Sequence, residues 1–354
     1  MQIALDLAKK GMHTAKPNPR VGCIVVSENK IVGQGWHRQT GEAHAEAIAL
    51  SEAGDKAKDS TVYSTLEPCT HFGQTPPCVE ALIAAAVGKV VYAMEDPNPV
   101  VSGQSRKILE SAEIEVISGV LSQESKDLNI GFHKRMKYGL PYIRTKIAAS
   151  IDGKTALLNG ESQWISSKQS RDDVQLWRAR SCALVTSIDT VIADDPSLNV
   201  RINDFSDIDQ PTRVILDSQL RIRGDYKILK SPGDVIVYSL QQVHNDPIFE
   251  GMIENTNERD GHVSLESVFR DLAKKEINEV MFECGGTLNG ALLKQNFIDE
   301  IIIYLAPCIL GDQANNMFSL PAISAMSERY NFNLIQVDRT GDDIRVILRK
   351  ANPV

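Results

Sequence analysis

The chain has 354 residues, enough for two domains at roughly 150 residues each, and its 42% hydrophobic and 24% charged residues exclude a disordered or fibrous chain. With 38 Lys and Arg against 46 Asp and Glu, the net charge of −8 disfavours a surface that grips nucleic-acid phosphates or anionic lipid, though it leaves room for a local basic pocket. The longest apolar runs, such as 298–310, are interrupted by Asp299 and Glu300 and fall short of the roughly 20 residues that span a bilayer. Residues 1–10 (MQIALDLAKK) read as an amphipathic helix; the charges follow the apolar part and no cleavage-like site appears, so they are not a signal peptide. Six cysteines without such a signal imply reduced thiols or metal ligands in a cytoplasmic protein.

Residues 20–27 and 30–36 are β-rich runs joined through Glu28-Asn29, a hairpin signal. An Ala- and Leu-rich helix follows at 43–53, ended by Gly54, then a strand at 61–66, a helix at 77–87 and a strand at 89–94. A helix at 104–112 and a strand at 114–117 complete a mixed sheet with helices on both faces. The polar stretch 118–138 has no strand signal, and Gly139-Leu140-Pro141 is the break, giving domains of 1–139 and 140–354. The second domain alternates again, with strands at 142–149, 182–187, 213–217, 235–238, 279–283, 300–305 and 344–349. Its helices are expected at 168–179, 264–275 and 288–295, with an irregular surface loop at 241–261. No repeat of 20–50 residues is visible.

His44, Cys69 and Cys78 form a soft N/S set that suits Zn²⁺, and three protein ligands leave the fourth tetrahedral position for water. Glu46, two residues from His44 on the first turn of its helix, is placed to shuttle a proton. Cys78 follows Pro76-Pro77 at a helix start, whose positive end favours its thiolate. The His-x-Glu and Pro-Cys pattern with a second Cys is that of zinc deaminases. A closed structural zinc with His71 as fourth ligand is the competing reading.

The run 65–78 (TLEPCTHFGQTPPC) separates its cysteines by eight residues, with His-x-Gly-x-Thr-Pro-Pro between them. It resembles the bifunctional riboflavin-biosynthesis deaminase/reductase family. The segments 17–22 (PNPRVG) and 96–103 (DPNPVVSG) agree, each holding an Asn between prolines. On the residues alone a turn without a ligand explains these equally well. The resemblance implies deaminase-substrate contacts from Asn18, His37, His71 and Asn98. Two positions depart from it: Gln74 stands where the family usually has a basic residue for the substrate phosphate, and Ser105 where it commonly has Gly.

In the second domain the run 282–292 (FECGGTLNGAL) carries a strand into a Gly-Gly turn and a helix, a phosphate-binding shape or merely tight packing. There is no Gly-x-Gly-x-x-Gly for a standard Rossmann site. The resemblance continues through 146–155 and 160–165 and implies a dihydrofolate-reductase-like α/β domain using NADPH. Cofactor contacts are then expected from Ala148, Trp164, Thr190, Asp194, Ser218, Gly285, Gly286, Thr287 and Leu288. Substrate contacts are expected from Lys146, Asp152, Ser162, Arg178, Leu198, Arg201 and Glu283. Lys146 would polarise or protonate the reacting carbonyl, and Arg178 with Arg201 would bind the sugar phosphate. Without the resemblance the two arginines read as surface ion pairs, Trp164 as core, and Asp152 as a turn residue. Cys284 borders the cofactor turn, and Cys23, Cys182 and Cys308 read as core.

The resemblance implies two consecutive steps, hydrolytic deamination of 2,5-diamino-6-(5-phosphoribosylamino)pyrimidin-4-one and NADPH-dependent reduction of the ribosyl chain to ribityl. One zinc per chain, a homodimer or higher homo-oligomer, and no nucleic-acid or membrane partner follow. Met1 falls where a few helical residues would already have passed, implying a short or truncated N-terminus. A nucleic-acid or nucleoside zinc deaminase with an appended α/β ligand-binding domain is the alternative, disfavoured by the net charge and the cysteine spacing. A binding or regulatory protein with one dead site, the deaminase half weakened at Gln74, is the other.

Overall fold

The computed structural model describes residues 1–72, 76–99, 101–202, 208–241 and 249–351. It divides into two compact units, Met1–Leu140 and Pro141–Val354, the change falling within Gly139-Leu140-Pro141.

The first unit runs α1 (Gln2–Lys9), β1 (Gly22–Ser27), β2 (Lys30–Trp36), α2 (Ala45–Ala53), β3 (Thr61–Leu66) and α3 (Cys78–Ala84). It continues with β4 (Lys89–Met94), α4 (Gln104–Ser111), β5 (Glu115–Ser118), α5 (Ser122–Leu128) and α6 (Ile130–Tyr138). Five strands pair in the order β2-β1-β3-β4-β5. Strand β1 is antiparallel to β2 and β3, while β3, β4 and β5 are parallel. The antiparallel hairpin closes through Glu28 and Asn29, both at positive φ as a two-residue hairpin turn demands. The parallel pairs need crossovers, which α3 and α4 supply. Helix α2 sits directly on β2: a Cβ at Gly33 would come within 2.0 Å of Ala49 O, and one at Gly35 within 2.4 Å of Ala45 O. Only glycine on the strand permits that approach, and the buried Ala45, Ala49 and Ala53 match it from the helix. Leu82, Val90, Tyr92 and Leu109 lie in the core, fully removed from water, each apolar side chain contributing roughly 1.5–3 kcal/mol. The stretch 118–138 folds as α5 and α6, whose buried faces are carried mainly by Leu128 and Phe132, too few apolar positions to announce a period.

The second unit runs β6 (Tyr142–Ser150), β7 (Lys154–Ala156), α7 (Lys168–Arg180), β8 (Ala183–Ser187), α8 (Ile188–Asp194), β9 (Thr212–Leu216), α9 (Lys227–Lys230) and β10 (Val235–Ser239). Then come β11 (Ile253–Asn255), β12 (Glu258–Arg259), β13 (His262–Val263), α10 (Leu265–Lys274), β14 (Glu279–Phe282) and α11 (Gly286–Lys294). Last are β15 (Glu300–Ala306), β16 (Asn315–Asn316), β17 (Phe332–Thr340) and β18 (Asp343–Lys350). Nine strands order as β11-β10-β9-β8-β14-β6-β15-β18-β17. Neighbours are parallel as far as β15, and β18 is antiparallel to both β15 and β17. The loop expected at 241–261 is corrected in part. Residues 242–248 lie outside those described, but Ile253–Asn255 extends the sheet beside β10 and β12 pairs with β13. Strand β17 has its apolar Leu334, Ile335 and Val337 facing outward, which hides the usual strand alternation. Cys23 and Cys182 are buried as expected, whereas Cys308 is only half-buried, just beyond the end of β15. Among the described residues no helix is long and apolar enough to cross a membrane.

Candidate active sites

In the first unit three elements deliver their polar ends to one place. His44 is the N-cap of α2 with Glu46 in its first turn, Cys69 follows the end of β3, and Cys78 opens α3. His44 Nδ1 lies 3.2 Å from Cys78 Sγ and 3.5 Å from Cys69 Sγ, and the three donor atoms fall within 4.8 Å of one another. Donors sharing one tetrahedral zinc at roughly 2.0–2.3 Å stand roughly 3.5–3.8 Å apart, so the spacing fits that ion. Among the described residues no fourth His, Cys, Asp or Glu joins the group. His71, the candidate for a closed site, is exposed and outside it.

The helix end acts on a different cysteine than expected. The Cys78 backbone N–H at the start of α3 donates to Cys69 Sγ at 3.2 Å, so Cys69 receives the positive end of the helix. Hydrogen bonds from the Cys78 thiol and from His44 also hold the Cys69 thiol far below its ordinary range. Its partner Cys78 is pushed up by sharing that proton with Cys69 and by burial. Glu46 is 3% exposed. Ser64 Oγ donates to its Oε1 at 3.0 Å, Cys78 Sγ lies 3.5 Å from its Oε2, and burial raises its pKa.

Around this cluster, Asn18 Nδ2 lies 3.1 Å from His37 Nε2, and His37 Nδ1 lies 3.3 Å from Ala43 O. A carbonyl can only accept, so Nδ1 carries the proton and Nε2 accepts from Asn18. That chain turns the Asn18 amide so that its Oδ1 is left for another donor. Asn98 sits in a turn closed by Val101 N–H and Ser102 N–H on its carbonyl. No sequence motif singles out Glu67, a carboxylate 2% exposed just past β3. Ser105, a departure from the family pattern, donates its Oγ–H to Glu67 Oε1 at 2.8 Å. Gln74 lies outside the described residues.

The second unit gathers a charged group at the end of β14. Glu283 accepts Arg178 Nε at 2.6 Å and Arg178 Nη2 at 3.1 Å, and pairs with Lys146 Nζ on β6 at 3.0 Å. Burial works against the Glu283 charge, but Arg178 and Lys146 outweigh it and hold the carboxyl far below its usual range. The Arg178 fork, expected on a phosphate, is thereby committed to Glu283, and its Nη1 donates to Asn199 O. Arg201 differs: its guanidinium donates to the neutral Asn199 Oδ1, and burial and the Arg178 charge lower its pKa. Among the described residues the charge of Glu283 also reaches it, but that carboxylate is held by Arg178 and Lys146.

The glycine turn divides into two roles. A Cβ at Gly286 would meet Asn316 O at 2.3 Å and one at Gly290 would meet Ser319 O at 2.1 Å, so those two are set by packing. Gly285 faces open space, exposed with Thr287 at the start of α11. Helices α7, α8 and α10 each carry a serine cap, whereas α11 begins on Gly285 without a side-chain cap, leaving its first N–H groups for an outside acceptor. Thr190 and Ser187 share the α8 cap, and Ser218 Oγ accepts from Val263 N–H. Trp164 is 71% exposed and stacks with Arg171, so it is not core. Asp152 is exposed and accepts from Ser150 Oγ and from the backbone of Leu310 and Gly311, the geometry of a turn residue. Ala148 and Ser162 are half-exposed, Asp194 is exposed and Leu198 is buried.

Residues 1–94 match the family model for the cytidine and deoxycytidylate deaminase zinc-binding region, and residues 141–346 match that for the RibD C-terminal domain. The chain is 43% identical to the riboflavin biosynthesis protein RibD of Escherichia coli (strain K12), over 97% of this chain and 96% of that one. It is 37% identical to RibD of Aquifex aeolicus, over 99% and 97%. Among solved structures, form 1 of Acinetobacter baumannii RibD superposes with a TM-score of 0.93 at 42% identity, covering 99% of this chain and 98% of that one. A Thermotoga maritima protein titled as a diaminohydroxyphosphoribosylaminopyrimidine deaminase/5-amino-6-(5-phosphoribosylamino)uracil reductase does so at 0.88 and 31% identity, over 99% and 97%. With both of its halves matched and nearly its whole length aligned, the chain belongs to the RibD family of bifunctional riboflavin-biosynthesis enzymes, a deaminase domain followed by a reductase domain.

Proposed function

We propose that the first unit deaminates 2,5-diamino-6-(5-phosphoribosylamino)pyrimidin-4-one and that the second reduces the ribosyl chain of the product to ribityl. The observation that carries this reading is a buried carboxyl, Glu46, beside a three-donor His/Cys/Cys cluster. His44, Cys69 and Cys78 would hold zinc, one ion per chain. When bound, zinc supplies a Lewis acid that lets water be deprotonated near neutral pH. Glu46 takes one proton of the attacking water to the ring nitrogen, then carries the other, from the hydroxyl now on the ring carbon, to the departing ammonia. A buried carboxyl with a raised pKa suits a group that must both accept and return a proton. Asn18 Oδ1, aimed by His37, accepts from an N–H of the heterocycle, and Asn98 and His71 complete the deaminase pocket.

In the second unit the uncapped start of α11, Gly285 to Leu288, would receive a cofactor phosphate. Ala148, Trp164, Thr190, Asp194 and Ser218 line the rest of the NADPH site. NADPH, when bound, supplies the hydride that reduces the open-chain carbonyl. Lys146, held by Glu283, donates a hydrogen bond to that carbonyl oxygen, while Asp152, Ser162 and Leu198 shape the pocket. Arg201 takes the phosphate, and Arg178 acts chiefly by anchoring Glu283. Arg201→Ala is expected to raise KM for the phosphorylated substrate about tenfold or more, the worth of a charge-assisted hydrogen bond, with a dephosphorylated analogue little affected. Equal KM values for wild type and variant would remove Arg201 from the phosphate site.

The two activities are tested together by following ammonia release and NADPH oxidation on the diaminopyrimidine nucleotide. NADPH oxidation should start only after ammonia appears, and deamination should cease once zinc is chelated. Deamination of RNA with none of the free nucleotide would favour the polynucleotide alternative. The exposed apolar edge strand β17 supports a homodimer formed by covering Leu334, Ile335 and Val337 with a second copy.

A further inference from the structure

Glu67 is spent on none of the chemistry above, yet it is buried two residues before Cys69 and its carboxylate is fully used. Oε2 accepts Asp96 N–H and Gly103 N–H, each at 3.1 Å. Oε1 accepts Ser105 N–H at 3.2 Å and Ser105 Oγ–H at 2.8 Å. The donors are the two ends of one excursion. Asp96 lies just past β4, while Gly103 and Ser105 are the N-cap and the second residue of α4. The N-cap is a glycine with no side chain to offer, so the N–H groups at the start of α4 take their acceptor from β3, more than 30 residues earlier. Between the two anchors Asp96 Oδ1 accepts Asn98 N–H at 2.8 Å, and Asn98 O accepts Val101 N–H and Ser102 N–H at 2.9 and 3.0 Å. Asn98 is therefore held at the middle of a turn whose two ends hang on a single carboxylate. That carboxylate belongs to the strand end that carries Cys69.

We infer that Glu67, with Ser105 as its hydroxyl donor, is a positioning residue for the deaminase: it sets the Asn98 turn against the ligand-bearing end of β3 and acts on substrate only through Asn98. This rests on the reading that Asn98 contacts the pyrimidine. A carboxylate suits the task because it offers four lone-pair sites and no donor, matching four converging donors. A glutamine would turn an N–H toward N–H groups on one side.

The test measures KM and kcat for deamination, zinc content and reductase activity in Ser105→Ala, Glu67→Gln, Asn98→Ala and the double variant S105A/N98A. Thermal unfolding of each variant reports that its first unit is folded, reductase activity reports an intact second unit, and Ser105→Ala, which removes one hydrogen bond, guards against failure of Glu67→Gln to fold. Ser105→Ala is expected to raise KM about threefold to tenfold and Glu67→Gln about tenfold or more, with kcat, zinc and reductase activity near wild type. In the Asn98→Ala background Ser105→Ala should add nothing, because the residue it positions is gone. Loss of zinc in Ser105→Ala would assign the pair to the metal ligands instead and overturn the inference. Wild-type KM in both Ser105→Ala and Glu67→Gln, alongside a raised KM in Asn98→Ala, would overturn it while leaving the Asn98 contact standing. A wild-type Asn98→Ala would sink that contact and the inference with it.

Discussion

Glu46→Gln is expected to lower kcat for ammonia release by about 10³-fold, within the range that general acid–base catalysis supplies. Zinc content and the reductase activity of the same chain should stay unchanged. The substitution is nearly isosteric, and its amide oxygen can still accept the hydrogen bond that Ser64 Oγ now gives Oε1. What it removes is the capacity to accept and return a proton. The carboxyl is well placed for that exchange, because burial raises its pKa and so reduces the gap between holding the proton and releasing it. A cation on His44, Cys69 and Cys78 would draw the same pKa down, so metal and burial oppose each other at this residue. The measurement is single-turnover ammonia release with metal analysis of the same sample. Full activity with full zinc would leave Glu46 a structural carboxyl and the proposed proton path wrong.

The donor cluster is readable from the chain because its chemistry is local: each ligand starts or precedes a helix, and the intervening residues are punctuated by proline. The alternating order of elements likewise prefigures both sheets. Glu67 is unreadable for the opposite reason. Its meaning lies in donors at Asp96, Gly103 and Ser105, brought together by the parallel pairing of β3 with β4, and a lone Glu before Pro-Cys carries no sign of them. Arg178 shows the same limit. Its charge and position suit a phosphate, but only the fold reveals that Glu283 already occupies its fork. Gly286 and Gly290 belong to a motif that suggests backbone approach to a ligand, and the backbone that approaches is the chain's own at Asn316 and Ser319. Strand β17 escapes the pattern because its apolar side chains face outward in the single chain.

Arg144→Ala is expected to have the largest effect on stability, about 3–5 kcal/mol in the second unit, the usual consequence of leaving buried carboxylates without their central partner. Arg144 lies on β6, between β14 and β15, fully buried. Its Nη1 meets Glu279 at 3.0 Å and its Nε meets Glu300 at 2.5 Å, both carboxylates being buried on the flanking strands. Arg180 and Arg349 reach the same two carboxylates from less buried positions, so the loss is partial. Against a total stability of about 5–15 kcal/mol for a domain, such a loss is severe. Its pH dependence distinguishes it from a simple cavity. Burial alone would raise the Glu300 pKa, but Arg144 and its neighbours lower it below the ordinary 4.5. In the wild type that pairing therefore stabilises the fold above about pH 4.5 and is lost as pH falls through the lowered value. Without Arg144 burial gains the upper hand and lifts the carboxyl above 4.5, so the variant's deficit should be full at neutral pH and shrink as the pH falls through that raised value and then through the wild type's lowered one. Denaturant unfolding at pH 7 and pH 4, read by the fluorescence of Trp177, whose ring lies 5.1 Å from the guanidinium, makes the comparison. Arg144→Met combined with Glu279→Gln and Glu300→Gln should recover part of the loss, because it removes the stranded charges along with the partner. A deficit that is the same at both pH values and unrelieved in the triple variant would mean that Arg144 stabilises the sheet by filling space, with its ion pairs contributing nothing.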